Sequence, residues 1–168
     1  TFEKFPGADP SLTTSMKAVG EAMAIGRCFT EALNKALRSI DKPGAQFHWD
    51  GPDPSPEQTR ALVERAGTAT EERLVQVQQA IRGGAGIDEL HASTGIDPWF
   101  LDQMVLLDEV ARETIGAPAL TGDVLARAKR HGFSDRQIAS MRRLSEDTVR
   151  EVRGAFGIRP VYKTVDTC

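Results

Sequence analysis

The sequence predicts a mainly α fold: small helical bundles preceded by an extended, β-type segment. Three observations carry this. From Ser55 onward the apolar residues recur at helical spacing, and no other period competes. Helix-start signals stand at Ser55, Asp97-Pro98, Thr121, Ser134 and Ser145. Before Arg27 the pattern breaks: Met16, Val19, Met23 and Ile25 fit no single helix face, and Gly20 and Gly26 weaken a helix there.

Residues 1–14 are punctuated by Pro6, Gly7 and Pro10 and read as loop. Residues 16–26, with small side chains and a lone Glu21, read as a buried strand packed closely on a neighbour. The run FTEALNKALRSI is a helix whose inner stripe is Phe29, Leu33, Leu37 and Ile40, stopped by Lys42-Pro43-Gly44. AQFHWDGPDP is a proline-rich loop. Ser55-Pro56-Glu57-Gln58 is a capping box with proline at the first helical position. Thr68 with Glu71 marks a further start, and Leu74, Val77, Gln78 and Ile81 share a face up to Gly83-Gly84. Asp97-Pro98 opens the longest helix, with Phe100, Met104, Leu107 and Ala111 inward. Thr121 begins another that stops near Gly132, and Ser134 and Ser145 begin the last two. The tail IRPVYKTVDTC is extended and β-rich in composition. GIDELHASTGIDPWFLDQM and GFSDRQIASMRRLSEDTVREV share one layout, which fits the grammar of short helical hairpins.

Composition narrows the function. At 168 residues, the chain suits one ordinary domain or two very small ones. A net charge of −3 marks no special partner, and no apolar run is long enough to span a membrane. Cys28 and Cys168 make no disulfide framework, which points to a cytoplasmic protein. The start at Thr1 rather than Met and the stop at VDTC predict a piece of a longer protein.

Chemical motifs are sparse. His48, His91 and His131 sit in separate elements without metal-ligand spacing, so no metal site is predicted. Gly20 to Gly26 lacks both Gly-Lys-Ser/Thr and G-x-G-x-x-G, so it is no phosphate loop. Cys28 has no partner base. From Arg127 to Arg159, nine Lys/Arg stand against four acids. SDRQIASMRRLSEDTVREVR has a helix-turn-helix layout that would set Thr148, Arg150 and Glu151 near base edges. Its turn, Arg142-Arg143-Leu144, lacks the usual glycine, and a solvated positive face explains the same charges. A nucleic-acid-binding module is therefore the alternative reading.

FEKFPGADPSLTTSMKAVGEAMAIGR with CFTEALNKALRSI closely resembles the end of the first ATP-grasp half of the carbamoyl-phosphate synthetase large subunit. GIDPWFLDQM resembles the helical domain that follows it, and RPVYKTVDTC the link into the second ATP-grasp half. The resemblance implies three parts. Residues 1–40 would be the incomplete C-terminal end of the first ATP-grasp (carboxyphosphate) domain, 41–157 the helical oligomerisation domain, and 158–168 the linker onward.

It also implies a parent ligase that makes carbamoyl phosphate from bicarbonate, ammonia and two ATP, for arginine and pyrimidine biosynthesis. A small glutaminase subunit would supply the ammonia, and ATP with Mg or Mn would bind outside this segment. The segment itself is expected to hold no cofactor and no catalytic residue, to be inactive alone, and to assemble as a homo-oligomer through its helices. Met16 and Glu21 match positions lining the carbamate tunnel. Candidate docking anchors are Trp99, Phe100, Phe133 and Phe156, each equally suited to the core.

Overall fold

The computed structural model describes residues 5, 7–17, 21–40 and 44–164. Among them are eight helices: α1 Phe29–Ser39, α2 Pro56–Ala66, α3 Arg73–Arg82, α4 Ile87–Thr94, α5 Pro98–Gly116, α6 Gly122–Arg130, α7 Asp135–Arg142 and α8 Glu146–Ala155. The starts follow the capping chemistry. Ser55 and Ser134 each form the full reciprocal box with Gln58 and Gln137. Asp97, Thr121 and Ser145 each accept from a backbone N–H in the first turn of α5, α6 and α8.

The longest helix, α5, is the hub. It packs against α1, α3, α4, α6 and α7, while α2 pairs with α3 and α4, and α7 with α8. Leu101, Met104, Leu107, Val110 and Ala111 of α5 are buried. Around them close Val77, Ala80 and Ile81 of α3, Leu90 of α4, Leu125 of α6, Ile138 of α7 and Val149 of α8. The predicted inner stripe of α5 holds at Met104, Leu107 and Ala111 but fails at Phe100, which is exposed. Leu101, one position on, takes the core place.

The loop between α1 and α2 contributes core as well. Phe47 and Trp49 are buried, and their rings meet at 6.5 Å in an edge-to-face arrangement. A buried cation wraps the loop. Arg82, at the end of α3, is 4% exposed and donates to the carbonyls of His48, Asp50, Gly51 and Pro52. Arg82 therefore gives carbonyls of the loop the partners that secondary structure does not supply.

Two sequence expectations are corrected. Residues 16–17 and 21–26 form no strand, and Met16, Met23 and Ile25 are exposed; residues 18–20 lie outside the described residues. A strand needs a neighbour to receive its N–H and C=O groups, and no described residue is in a strand. The extended tail likewise carries no strand over 158–164, and residues 165–168 lie outside the description.

The second correction concerns α1. It buries Thr30, Glu31, Asn34 and Leu37, one step round from the predicted stripe, and leaves Ile40 exposed. The reason is a polar dock. Thr30 Oγ1 shares a 2.9 Å hydrogen bond with His131 Nδ1, Asn34 Nδ2 donates to His131 O, and Arg38 donates to Gly132 O. Gly132 has φ +84°, and a Cβ there would lie 3.0 Å from Glu31 Cα and from Asn34 Cβ. Only glycine lets the α6–α7 turn approach α1 so closely.

Candidate interaction surface

Part of the charge of the helical hairpin α7–α8 is engaged in the fold itself. Asp135 at the start of α7 receives Lys129 Nζ at 2.9 Å and Arg153 Nη2 at 3.0 Å. Burial works against its charge, but the hydrogen bonds from Lys129 and Arg153 outweigh burial and hold the carboxyl below its ordinary range. Arg150 lies against Glu146 at 2.9 Å and Asp147 at 2.7 Å on its own helix. Arg142 donates to the carbonyls of Thr114, Ile115 and Ala117, capping the end of α5. Thr148 faces the Ser145 hydroxyl at 2.7 Å. Of the residues a DNA reader would use, Arg150 is paired with acids of its own helix and Thr148 with Ser145, while Glu151 is an exposed acid that would repel phosphate, so the geometry lends the nucleic-acid reading no support.

The turn that lacks a glycine folds nonetheless. Arg143 closes α7 in the left-handed conformation, φ 54° and ψ 42°, where Gly95 closes α4 with φ 69°. The hairpins α4–α5 and α7–α8 therefore share eight-residue first helices, a left-handed cap and a side-chain-capped second helix.

A second polar cluster fixes the loop against α5. Trp49 Nε1 donates to Asp108 Oδ1 at 2.9 Å, and Arg112 Nε donates to Asp108 Oδ2 at 2.6 Å. Arg112 Nη1 and Arg82 Nη2 both reach Asp53, at 2.9 and 3.2 Å. Burial opposes the Asp53 charge, but these two guanidinium groups keep its carboxyl below the usual range. Beside the cluster lies a cleft of about 990 Å³ lined by Arg82, Arg112, Ser140, Met141 and Arg142.

Part of the exposed apolar surface lies at the two ends of α5. At the N-terminal end, Trp99 and Phe100 are 54% and 43% exposed. Their rings meet Phe29 of α1 at 5.6 and 5.1 Å and each other at 5.0 Å, with edge and tilted geometries. At the C-terminal end, Ile115, Leu144 and Phe156 are exposed. Arg142, two residues before Leu144, ties α7 to this end, and Phe156 lies over Gly122 just beyond it, where a Cβ would sit 3.2 Å from the ring. At 1.5 Å per residue, the two groups stand about 24 Å apart along the helix.

The four candidate anchors thus separate. Trp99, Phe100 and Phe156 are on the surface, and Phe133 is core, its ring 5.2 Å from Trp49. Of the tunnel candidates, Met16 is 94% exposed and Glu21 is exposed. Arg27 lies against Glu31, at 3.6 Å, rather than reaching back toward Glu21. Phe29 was read as a core residue of α1; its aromatic spacing to Trp99 became visible only once α1 crossed α5. Among the described residues no group of His, Cys, Asp and Glu converges as a metal site. No described helix is long and apolar enough to cross a membrane.

Residues 21–157 match the family described as carbamoyl-phosphate synthetase large chain, oligomerisation domain. Among curated relatives, the carbamoyl phosphate synthase large chain of Beutenbergia cavernae is 68% identical over 99% of this chain. The large chains of Kineococcus radiotolerans and Streptomyces avermitilis are 62% and 59% identical over the same share. The chain spans 15% of the length of each of these relatives.

Proposed function

This chain belongs to the carbamoyl-phosphate synthetase large-chain oligomerisation-domain family, and from that premise we propose that its helical part is the assembly module of a carbamoyl phosphate synthase. The parent would be an ATP-dependent ligase that joins bicarbonate and glutamine-derived ammonia. It would use ATP with Mg or Mn in domains outside this segment, and a small glutaminase subunit as partner, in the cytoplasm. Residues 1–40 would close the first ATP-grasp domain, 41–157 form the helical module and 158–168 lead into the second half. Met16 and Glu21 would line the passage for carbamate. Their exposure on the segment that precedes α1 supports that reading.

One observation carries the assembly role. Ile115, Leu144 and Phe156 are exposed apolar side chains near the C-terminal end of α5, beside a hairpin in which Arg150 and Arg153 are ion-paired. Exposed apolar side chains of this kind suit contact with another copy. The test is sedimentation velocity on the full-length large chain carrying Leu144→Ser and Phe156→Ser. Association is expected to move to at least about tenfold higher concentration, equivalent to about 1.4 kcal/mol. An unchanged midpoint would sink this surface as the assembly contact.

A further inference from the structure

The cleft beside Trp49 holds two opposite charges that the fold does not use. Four guanidinium groups and two carboxylates line its roughly 990 Å³. Most of them are engaged. Arg82 and Arg112 lie against Asp53, Arg112 also against Asp108, and Arg142 donates to the carbonyls that end α5. Arg143 and Asp50 differ. Among the described residues, the Arg143 guanidinium has no hydrogen-bond or ion partner. The Asp50 carboxylate accepts from the Ser140 hydroxyl through Oδ1, and its second oxygen is unpaired. Both residues are exposed.

The two charges are close but separate. Ser140 holds Asp50, and the Arg143 N–H donates to Ser140 O at 3.2 Å, so one backbone turn lies between them. Side chains one helical turn apart have Cβ atoms about 5–6 Å from each other. Arg143 leaves α7 in the left-handed conformation, φ 54°, which takes it off the helical row of Ser140. No ion pair joins it to Asp50 among the described residues. Met141, next to Ser140 in sequence, and Ile115, 41% exposed at the end of α5, add apolar surface to the same lining.

We propose that this cleft binds a small aliphatic zwitterion, a carboxylate and an ammonium at the two ends of a methylene stem. The carboxylate meets the Arg143 guanidinium, whose fork of N–H donors matches it. The ammonium meets Asp50, with the Ser140 oxygen as a further acceptor. The stem covers Met141 and Ile115. A ligand of zero net charge leaves the balance of the cleft unchanged. It also releases none of the paired arginines, which a polyanion would have to draw on. The site is independent of the assembly reading.

The test is peptide-resolved hydrogen–deuterium exchange on the full-length large chain at constant ionic strength. Concentrations are kept where sedimentation shows a monomer, so that no other copy covers Ile115. The probes are glycine, γ-aminobutyrate and ε-aminocaproate, with caproate and hexylamine as carriers of one charge each. Saturable protection of residues 49–53 and 140–144 in the millimolar range is expected with γ-aminobutyrate or ε-aminocaproate. Glycine, whose charges are one carbon apart, is expected to give none. Absence of saturable protection with both longer zwitterions overturns the proposal. So does equal protection by glycine, caproate or hexylamine, since the stem or the second charge would then contribute nothing. Arg143→Gly removes the guanidinium and suits the left-handed backbone, while Asp50→Asn keeps an acceptor for Ser140, so both variants retain the fold. Each is expected to move the binding midpoint to about threefold higher concentration or more. An unaltered midpoint in either variant also overturns the proposal.

Discussion

Asp135 is the residue on which two cations, Lys129 of α6 and Arg153 of α8, converge. Its carboxylate holds Lys129 and Arg153 at once, and both cations are partly sheltered from water. Asp135→Asn would leave two such cations facing a neutral amide. The expected loss is about 1–3 kcal/mol, less than for a fully buried pair because water reaches part of the site, read from urea unfolding midpoints. The pH dependence follows from the sign of the shift. The folded-state value is lowered, so the contribution is present above the ordinary 3.8 and fades as pH falls through the lower folded value. His131 acts in a different window. Burial, then Arg127 and Arg130, push it below its ordinary 6.5, with Glu113 opposing. The folded chain thus refuses a proton that the unfolded chain accepts just below 6.5. Stability is full above that pH and declines as pH falls toward the folded value. An NMR titration should place His131 below 6.5, and a value at or above it would show that the α1 dock is not closed in solution. None of this was visible in sequence, where Asp135 was one of four acids among nine cations and His131 one of three histidines in separate elements. Both partnerships depend on long-range packing: Thr30 and His131 are 101 residues apart.

At the scale of the element, starts were legible and faces less so. Caps are local chemistry, so Ser55, Asp97, Thr121, Ser134 and Ser145 announced their helices correctly. The buried stripe of α1 was misplaced because apolar spacing identifies the greasier face, whereas α1 docks through hydrogen bonds to a glycine turn. The strand over 16–26 was misread for the opposite reason: its composition suits a sheet that no described residue provides. The missing glycine in the α7–α8 turn counted against a helix-turn-helix motif, yet Arg143 takes the left-handed conformation itself. A non-glycine residue there costs about 1–2 kcal/mol, and glycine's extra unfolded-state freedom offsets part of the relief. Arg143→Gly should therefore raise stability by about 0.5–1 kcal/mol in thermal unfolding. Gly95→Ala, the reciprocal change in the twin hairpin, should lower it by about 1 kcal/mol. Equal melting temperatures for both variants and wild type would contradict a shared left-handed cap.

For the whole molecule, the resemblance located the chain within a larger enzyme, while its partition into core and contact surface needed the fold. Trp49 and Trp99 looked alike as anchors in sequence; α5 and the Arg82-wrapped loop send one inward and leave the other outside. The same division bears on nucleotide binding. The cleft beside Trp49 is, at about 990 Å³, large enough for a small molecule, and arginines line it. Yet Arg82 is committed to loop carbonyls and Asp53, Arg112 to Asp53 and Asp108, and Arg142 to the carbonyls ending α5. A triphosphate would have to break these contacts, and the acids Asp50 and Asp53 stand in the same lining. Releasing a guanidinium from a paired carboxylate and part-buried carbonyls loses several hydrogen bonds, each to a charged group and worth about 1.5–3 kcal/mol at most. Phosphate contacts would first have to recover that loss. The 168-residue chain should therefore show no heat of ATP binding in calorimetry at micromolar protein, with or without Mg. Saturable micromolar binding would place nucleotide chemistry inside the helical module. Arg112→Met would then separate the cases: if ATP occupies this cleft, removing that guanidinium weakens binding, whereas unaltered affinity would put the nucleotide elsewhere on the chain.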